Sequence, residues 1–182
     1  DLHVEFDTYG GIVKAVRGAS FSVAKGKTLA IVGESGCGKS VSVQSIMGLI
    51  PRPPGRITRG SALLGDVDII RQKIVDGHDV RGSRIGMIFQ DPMSSLNPTM
   101  KVGNQIAEAL VVHRGYSRKQ ARARAVELLA STHIPEAEKR AAQYPFAFSG
   151  CMLQRAMIAM AIACEPDVLI ADEPTTALDV TI

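Results

Sequence analysis

The stretch that decides the fold reads Gly33-Glu34-Ser35-Gly36-Cys37-Gly38-Lys39-Ser40. It fits the pattern Gly-x-x-x-x-Gly-Lys-Ser/Thr, in which glycines allow backbone amides to approach phosphate oxygens closely. The apolar run at residues 28–32 predicts a buried parallel strand before the loop, and residues 39–49 predict a helix after it. Because a strand, a glycine loop and a helix in this order are the context of a phosphate-binding loop, we expect an α/β protein.

The residue types within the loop suit a magnesium nucleotide. Lys39 would bridge the β- and γ-phosphates, and Ser40 would ligate Mg²⁺ through its hydroxyl. The positive end of the following helix dipole would add to the attraction. The other loop residues would surround the phosphates with backbone N–H groups: Gly33, Glu34, Ser35, Gly36, Cys37 and Gly38. ATP and Mg²⁺ are therefore the expected ligands.

Two acids and one amide complete the expected chemistry. Asp172 and Glu173 end an apolar run over residues 168–171, which predicts another buried strand. Asp172 suits the Mg²⁺ carboxylate of P-loop enzymes, and Glu173 would polarise a water for in-line attack on the γ-phosphate. Gln90 closes a predicted strand over residues 85–90, where its amide would touch metal and water. Taken alone, the acidic pair and Gln90 are each better explained as ordinary polar strand ends, but beside the glycine loop the catalytic interpretation of the acidic pair is favoured.

Composition limits the class of protein. The chain has 182 residues, 46% of them apolar and 21% charged, which fits one globular domain with a sizeable core. The net charge of +3 mildly favours anionic ligands, and the absence of Trp argues against a base-stacking nucleic-acid platform. A solvated helix face explains the densest basic run, which comprises Arg114, Arg118, Lys119, Arg122 and Arg124.

The cysteines and the longest apolar run bear on location. Three cysteines without metal-ligand spacing indicate reduced thiols and an intracellular setting. The longest strongly apolar run, residues 156–164, is far shorter than the roughly 20 residues that span a bilayer. We therefore expect a soluble protein with at most a peripheral membrane role.

Turn and cap signals divide the rest of the chain. Residues 1–32 predict short strands, and residues 57–70 predict a small hairpin with turns at Gly60 and Gly65. The Pro/Ser/Asn-rich residues 91–98 predict a loop, and residues 100–143 predict a helical insert with a capping box at Ser117 and Gln120. Ser149 is a suitable N-cap for a buried helix over residues 150–164.

Together these motifs resemble the nucleotide-binding subunit of an ABC transporter. Residues 33–40 are similar to its Walker A loop, residues 168–173 to Walker B, and Gln90 to the Q-loop glutamine. Residues 149–154 resemble the signature motif, and Ala177-Leu178-Asp179 resembles the D-loop. The segments at residues 89–98 and 171–181 look like the oligopeptide/dipeptide (and nickel) importer branch of bacteria.

The resemblance implies a fold and a domain organisation. It implies a P-loop NTPase (RecA-like) core with an antiparallel β subdomain and an inserted helical subdomain, incomplete at its C-terminus. Residues 1–182 would form one ABC-type ATPase domain. Within it, residues 1–90 and 156–182 would form the core with its β subdomain, and residues 91–155 the helical subdomain.

The resemblance also implies partners. Two such domains would pair head to tail as a homo- or heterodimer, with each ATP held between one protomer's Walker residues and the other's signature motif. Ser149, Gly150, Gln154 and Asp179 would then contact nucleotide, and Tyr9 would stack on adenine, although Phe6 or no aromatic residue remains an alternative. Transmembrane permease subunits would dock beside residues 90–98 at the cytoplasmic face of the inner membrane, with a solute-binding protein acting indirectly and no nucleic acid involved.

The signature departs from the family pattern at one position. Where the family has Ser-Gly-Gly, this chain has Ser149-Gly150-Cys151. If that position needs a positive φ, the side chain costs on the order of 1 kcal/mol, and crowding against nucleotide adds to the cost. The hypothesis is a weakened ATP site at this signature; the alternative is that the position tolerates Cys.

Two other functions remain open at this stage. A nucleotide-dependent dimerisation or regulatory subunit is favoured by Cys151 and opposed by Glu173. A soluble ABC-type ATPase that acts on nucleic acid is opposed by the importer-like loop at residues 91–98. The family's switch histidine follows the D-loop and would lie beyond Ile182, so we expect weak or absent turnover from this piece alone.

Overall fold

In a computed structural model that describes residues 1–72, 74–75 and 78–174, the chain forms two compact units. The first unit is Asp1–Lys73 and the second is Ile74–Ile182. Each has its own cluster of buried apolar side chains, and each is described in turn.

The first unit is built on a three-stranded antiparallel sheet. Strands β1 (Leu2–Thr8), β2 (Gly11–Ala19) and β3 (Gly55–Arg59) lie in the order β2-β1-β3. Helix α1 (Lys39–Met47) packs against β1 and β2 and ends at Gly48, which adopts a left-handed conformation. The buried core beneath the sheet comprises Leu2, Val4, Val16 and Ile50.

The predicted hairpin over residues 57–70 is shorter than expected. Strands β4 (Leu63–Leu64) and β5 (Val67–Asp68) pair around a turn at Gly65, as the sequence predicts. Residues 57–59 instead belong to β3, which pairs with β1. The long-range pairing places Ile57 opposite the fully buried Val4, so burial of apolar side chains determines the partner.

The prediction of a buried strand over residues 28–32 is wrong. No helix or strand is present between residues 20 and 38. Leu29, Ile31 and Val32 have exposed fractions of 44%, 42% and 91%. No ladder in the described part of the chain includes this run, and an extended segment without ladder hydrogen bonds is not held as a strand.

The second unit contains a parallel strand pair. Strands β8 (Ile85–Ile88) and β9 (Val168–Ala171) pair from Ile85 opposite Val168 to Ile88 opposite Ala171. Every residue of β8 is buried, whereas Leu169 and Ala171 of β9 are exposed. The predicted strand over residues 168–171 is therefore confirmed, but its complete burial is not. Before it come the short hairpin β6 (Ile74–Val75) and β7 (His78–Asp79) and the kinked helix α2 (Val80–Ser83).

Helices make up most of the second unit. In chain order they are α3 (Pro92–Ser95), α4 (Val102–Arg114), α5 (Arg118–Ser131), α6 (Ala137–Ala141), a 3₁₀ turn (Pro145–Ala147) and α7 (Gly150–Ile162). Helices α4, α5 and α7 pack around fully buried residues such as Ile106, Leu129 and Ala156. The predicted capping box at Ser117 and Gln120 is confirmed, with both reciprocal bonds formed.

One further prediction needs correction. Residues 91–98, predicted as a loop, contain helix α3. The Asp91 side chain accepts a hydrogen bond from Met93 N at 2.9 Å, and Pro92 occupies the first turn, where a missing N–H does no harm. None of the helices in the described ranges is long and apolar enough to cross a membrane.

Candidate functional site

The glycine loop is an exposed segment that leads into helix α1. Its residues 33–37 are exposed, and Lys39 is the first helical residue. The ammonium group of Lys39 turns back over the loop and donates to the carbonyl oxygens of Gly33 at 2.7 Å and Glu34 at 2.9 Å. These bonds close the loop on itself and place a positive charge against its backbone.

One glycine of the loop cannot take a side chain without displacing backbone. Gly38 has φ +92°, and a Cβ added there would lie 2.5 Å from the carbonyl oxygen of Ala15. Gly33 has an ordinary φ, and a Cβ there would lie 2.6 Å from the sulfur of Cys37, a side-chain atom that can move away. The loop is thus most tightly closed at Gly38, where its curvature depends on the absence of a side chain.

The N-terminus of α1 is suited to an anion. Its N-cap, Gly38, has no side chain that could accept a hydrogen bond from the first-turn amides, and no acidic residue lies in that turn. The positive end of the helix dipole is therefore not offset by a carboxylate. Together with the cradle that a Cβ would fill, this arrangement fits a phosphate group.

A second group of predicted site residues lies in the second unit, where β8 and β9 end. Because the strands are parallel and adjacent, their carboxyl ends meet at one edge, which places Gln90 beside Glu173. The Gln90 amide donates to Glu173 Oε2 at 2.6 Å. Asp172 N donates to Ile88 O at 2.9 Å and so extends the ladder up to the acidic pair. The structure therefore joins two residues that are 83 positions apart in the chain.

The two acids differ in environment and backbone. Asp172 has an exposed fraction of 8%, whereas Glu173 is exposed. Glu173 has φ +49°, the left-handed region, and the next residue is Pro174. For a residue with a Cβ this conformation costs roughly 1–2 kcal/mol, and the residue before a proline normally prefers an extended backbone. Glu173 is thus held in a strained conformation.

Asp91, the residue that follows Gln90, has a lowered pKa. Hydrogen bonds from the Ser94 side chain and the Met93 N–H hold the pKa of the Asp91 carboxyl below its usual value. Asp91 therefore stays ionised while it caps α3, and α3 begins directly after Gln90.

The start of α7 confirms one prediction and corrects another. The Ser149 side chain caps the helix by accepting from Met152 N at 3.3 Å, as predicted. Cys151 lies in the first turn of α7 with ordinary helical geometry and is absent from the residues with positive φ. The premise of backbone strain at Cys151 is therefore wrong, and only crowding against a bound nucleotide remains as a reason for weakness. A Cβ added at Gly150 would meet no atom within 4 Å.

Gln154 lies elsewhere than its predicted role requires. Its exposed fraction is 0%, and its amide donates to the carbonyl oxygen of Pro174 at 2.8 Å. A side chain with no exposed surface cannot contact nucleotide across a subunit interface without leaving its pocket. Assignment of Gln154 to nucleotide binding therefore does not agree with its placement. Gln154 and Arg155 are adjacent polar residues in a mainly apolar helix, so the sequence contains no signal as to which of the two is buried.

The aromatic candidates also differ in placement. Tyr9 lies in the turn between β1 and β2 with its ring fully exposed, whereas Phe6 packs against the core of the first unit. Tyr9 is therefore the candidate that is available for stacking. Asp179 lies outside the described residues.

The donor chemistry agrees with magnesium. Among the side chains that the structure describes, no group of three or more His, Cys, Asp or Glu residues is assembled for a metal ion. The expected ligands Ser40, Asp172 and Gln90 offer oxygen atoms, which Mg²⁺ prefers. Mg²⁺ typically binds through one or two protein ligands together with substrate phosphates and waters, so a sparse set of protein oxygens fits it.

Comparison with known proteins identifies the family. The family model described as ABC transporter matches residues 16–176. The oligopeptide transport ATP-binding protein OppD of Bacillus subtilis is 59% identical over 182 residues, which cover 100% of this chain and 51% of that protein. The dipeptide transport ATP-binding protein DppD of the same organism is 56% identical and is covered over 54% of its length. The chain thus spans about half the length of these relatives.

Solved structures agree with the fold predicted from the sequence. The dimeric ATP-binding cassette MJ0796, in a post-hydrolysis state bound to ADP and Pi, has a TM-score of 0.81 and 26% identity, over 98% of this chain and 74% of that one. A second dimeric structure of MJ0796 has a TM-score of 0.82 at the same identity and coverage. The expected P-loop NTPase fold is confirmed, and the chain belongs to the ABC transporter family.

Proposed function

We propose that this chain is the ATP-binding part of a subunit that hydrolyses ATP to power peptide import through a membrane permease. The observation that carries the proposal is the bond from Gln90 to Glu173, made where two parallel strands end. An exposed carboxylate oriented by an amide suits a general base for water. The glycine loop would supply the phosphate-binding element that such a base requires.

Phosphate binding would fall to the loop and to Lys39. The bonds from Lys39 to two loop carbonyls would be exchanged for bonds to phosphate oxygens when ATP binds. Phosphate is the better acceptor for an ammonium group because its oxygens carry formal negative charge, whereas a carbonyl oxygen carries only a partial one. The loop amides and the N-terminus of α1 would hold the remaining oxygens.

Ser40, Asp172 and Gln90 would hold Mg²⁺. When bound, Mg²⁺ would neutralise charge that develops on the phosphate oxygens. Asp172 is suited to this because it is nearly buried and lies at the end of the β8–β9 ladder. Gln90 would serve two neighbours, since its amide group carries both a donor, used on Glu173, and an acceptor oxygen.

Glu173 would take a proton from the attacking water. The bond donated by Gln90 orients the Glu173 carboxylate, so the position of Gln90 affects the orientation of the base. Movement of the segment that starts at Gln90 would then change the orientation of the base. This supports a link between the state of residues 90–98 and hydrolysis.

A second ATPase subunit would complete the site. The similar cassette MJ0796 is dimeric, and head-to-tail pairing would bring Ser149 and Gly150, at the start of α7, to the partner's γ-phosphate. The α7 N-terminus would supply dipole and amide donors there. Tyr9 would stack on adenine, and Asp179 would contribute from the D-loop.

Peptide import follows from the relatives, which are named for oligopeptide and dipeptide transport. Transmembrane permease subunits would dock beside residues 90–98, at the cytoplasmic face of the inner membrane. Met93 in α3 has an exposed fraction of 68%, which supports an apolar contact there. A solute-binding protein would act indirectly, and nucleic acid would have no role.

One observation favours a second candidate function. Cys151 places a side chain in the first turn of α7, where the family pattern has glycine, and this side chain is half-buried. If it crowds the partner's nucleotide, the subunit would bind ATP and dimerise while one of the two sites hydrolyses poorly. ATP binding without turnover, in the full-length protein with its partner, would select this regulatory function.

Steady-state hydrolysis by the full-length protein, assembled with its partner subunit, tests the proposal. We expect release of ADP and phosphate that requires Mg²⁺ and is abolished in Lys39→Ala. Arg118→Ala, at an exposed position in the first turn of α5 in the other unit, serves as the charge-matched control. Wild-type protein that binds no ATP, or a Lys39→Ala variant as active as wild type, would exclude the proposed function.

A further inference from the structure

We propose that Gln154 is a positioning residue that holds the general base Glu173 in its reactive conformation. The proposal rests on the proposed ATPase function and adds to it a residue that the nucleotide does not touch. It starts from the bond between the Gln154 amide and the carbonyl oxygen of Pro174, the residue directly after Glu173.

The orientation of the Gln154 amide is determined by its surroundings. Pro174 O can only accept, so the nitrogen of the amide must face it at 2.8 Å. The other atom, Oε1, is buried without a hydrogen-bond partner among the described residues. Burying an unsatisfied polar atom is unfavourable, and an apolar residue would fill this position of α7 without that cost. The bond to Pro174 is what a glutamine provides here.

Glu173 is the residue that needs such a bond. Its left-handed backbone, φ +49°, is unfavourable for a residue with a Cβ, and more so before a proline. Strained residues persist where the surrounding structure holds them in place, and they occur often in active sites. Without restraints on both sides, the segment would relax toward an extended conformation and the carboxylate would move.

Three hydrogen bonds restrain this segment. Before Glu173, the amide of Asp172 donates to Ile88 O of β8 at 2.9 Å. At Glu173, the carboxylate accepts from Gln90 at 2.6 Å. After it, Pro174 O accepts from Gln154 of α7. Of these three bonds, only the one from Gln154 acts on the C-terminal side of Glu173. Its loss should therefore weaken the restraint on that side.

The restraint also connects the base to the signature helix. Gln154 lies five residues after Ser149, about 7–8 Å along the axis of α7 at 1.5 Å per residue. In a head-to-tail dimer, Ser149 would serve the partner's ATP and Glu173 its own protomer's ATP. A displacement of α7 on nucleotide binding would therefore reach Glu173 through Gln154.

The first test replaces the amide and keeps its length. In the full-length protein, Gln154→Met removes the donor, whereas Met157→Leu changes a fully buried residue of the same helix without polar consequences. We expect kcat to fall about tenfold or more in Gln154→Met, because small displacements of a catalytic group reduce rate strongly, with KM for ATP unchanged. Met157→Leu should keep the wild-type kcat.

The second test needs no nucleotide. Hydrogen exchange followed by mass spectrometry should show faster exchange in the peptide that spans residues 168–174 in Gln154→Met, because the Asp172 amide loses a restraint on its neighbour. Peptides from α4 and α5 should exchange as in wild type. Unchanged exchange at residues 168–174 would overturn the proposal.

A third variant, Gln154→Glu, gives a pH profile that a purely structural role would not produce. A protonated Glu donates an O–H to Pro174 O, whereas the ionised form has no donor and its charge is buried. Activity of this variant should therefore fall as pH rises, through the pKa of the new carboxyl, over a range where wild type stays constant.

The outcomes separate the two claims. Wild-type protein without ATPase activity would remove the proposed function itself. Active wild type with Gln154→Met of equal kcat would leave that function standing and refute the positioning role. A raised KM with unchanged kcat would also refute it, because it would assign Gln154 to nucleotide binding. If Gln154→Met does not fold, the pH profile of Gln154→Glu decides: a flat profile parallel to wild type refutes the proposal.

Discussion

The glycine loop and the Glu173 edge are held in shape in two different ways. The loop, residues 33–40, is exposed, and its shape comes from local backbone conformation with Lys39 folded onto its own carbonyls. The Glu173 edge depends on distant residues: Gln90 lies 83 positions from Glu173, and Gln154 lies 20 positions from Pro174. Loop geometry therefore depends most on Gly38, where a Cβ would meet backbone, and edge geometry depends on side-chain bonds that can be removed singly.

The largest effect is expected at the edge. Glu173→Gln keeps the size of the side chain and removes its basicity, so turnover should fall by about a hundredfold or more. ATP affinity should be maintained, because Glu173 would contact water and not phosphate. Phosphate release and equilibrium binding measure the two quantities separately. Loss of ATP affinity equal to the loss of turnover would contradict the assignment of Glu173 as base.

The next largest effect is expected from a substitution that displaces the glycine loop. Gly38→Ala introduces a Cβ 2.5 Å from Ala15 O in a left-handed residue, whereas Gly26→Ala is left-handed with no atom within 4 Å. Both variants bear the backbone strain of about 1–2 kcal/mol, but only the first also displaces the loop. We expect ATP affinity to fall at least about tenfold in Gly38→Ala alone. Equal affinity in the two variants, measured by titration calorimetry, would show that the loop does not determine binding.

Two cysteines, one in the loop and one in the core, differ in exposure and should differ in reactivity. Cys37 is exposed in the loop, whereas Cys164 has an exposed fraction of 1%. Burial raises the pKa of the Cys164 thiol. Because the thiolate is the reactive form, a maleimide should label Cys37 at least about tenfold faster than Cys164. Mg-ATP should slow labelling of Cys37 and leave Cys164 unchanged. Peptide mass spectrometry measures both rates, and a Cys37 rate that ATP leaves unaltered would place the nucleotide elsewhere.

The smallest effect concerns the signature. Cys151→Gly restores the family residue, so turnover of the assembled pair should rise a few-fold if the side chain crowds the partner's nucleotide. Because glycine is unfavourable in a helix by up to about 1 kcal/mol, the melting temperature should fall slightly. Unchanged turnover would mean that the position tolerates Cys. Cys164→Ala, in the buried core, is the control for loss of a thiol.

Local signals predicted the elements that depend on local physics. The turn at Gly65, the capping box at Ser117 and the Ser149 cap appear where the sequence indicated them. The apolar spacing of α5 predicted its buried face, since Ala121, Ala125, Leu128 and Leu129 are all buried.

Features set by distant partners could not be predicted in this way. Residues 28–32 have the composition of a core strand, yet a strand also requires a neighbouring strand to bond with its backbone. The local sequence pattern does not indicate whether such a neighbour is present. The left-handed backbone of Glu173 and the burial of Gln154 arise from their contact with Gln90 and Pro174. The roles of these residues follow from packing that pairs strands and helices across the chain.

The most direct test of the account is equilibrium binding of ATP to the full-length protein, with and without Mg²⁺, for wild type and Lys39→Ala. We predict saturable, magnesium-dependent binding to wild type and a loss of more than about tenfold in Lys39→Ala, because a charged hydrogen bond is removed. Wild-type protein without measurable affinity, or equal affinity in the variant, would contradict the claim that the loop beginning at Gly33 holds the phosphates.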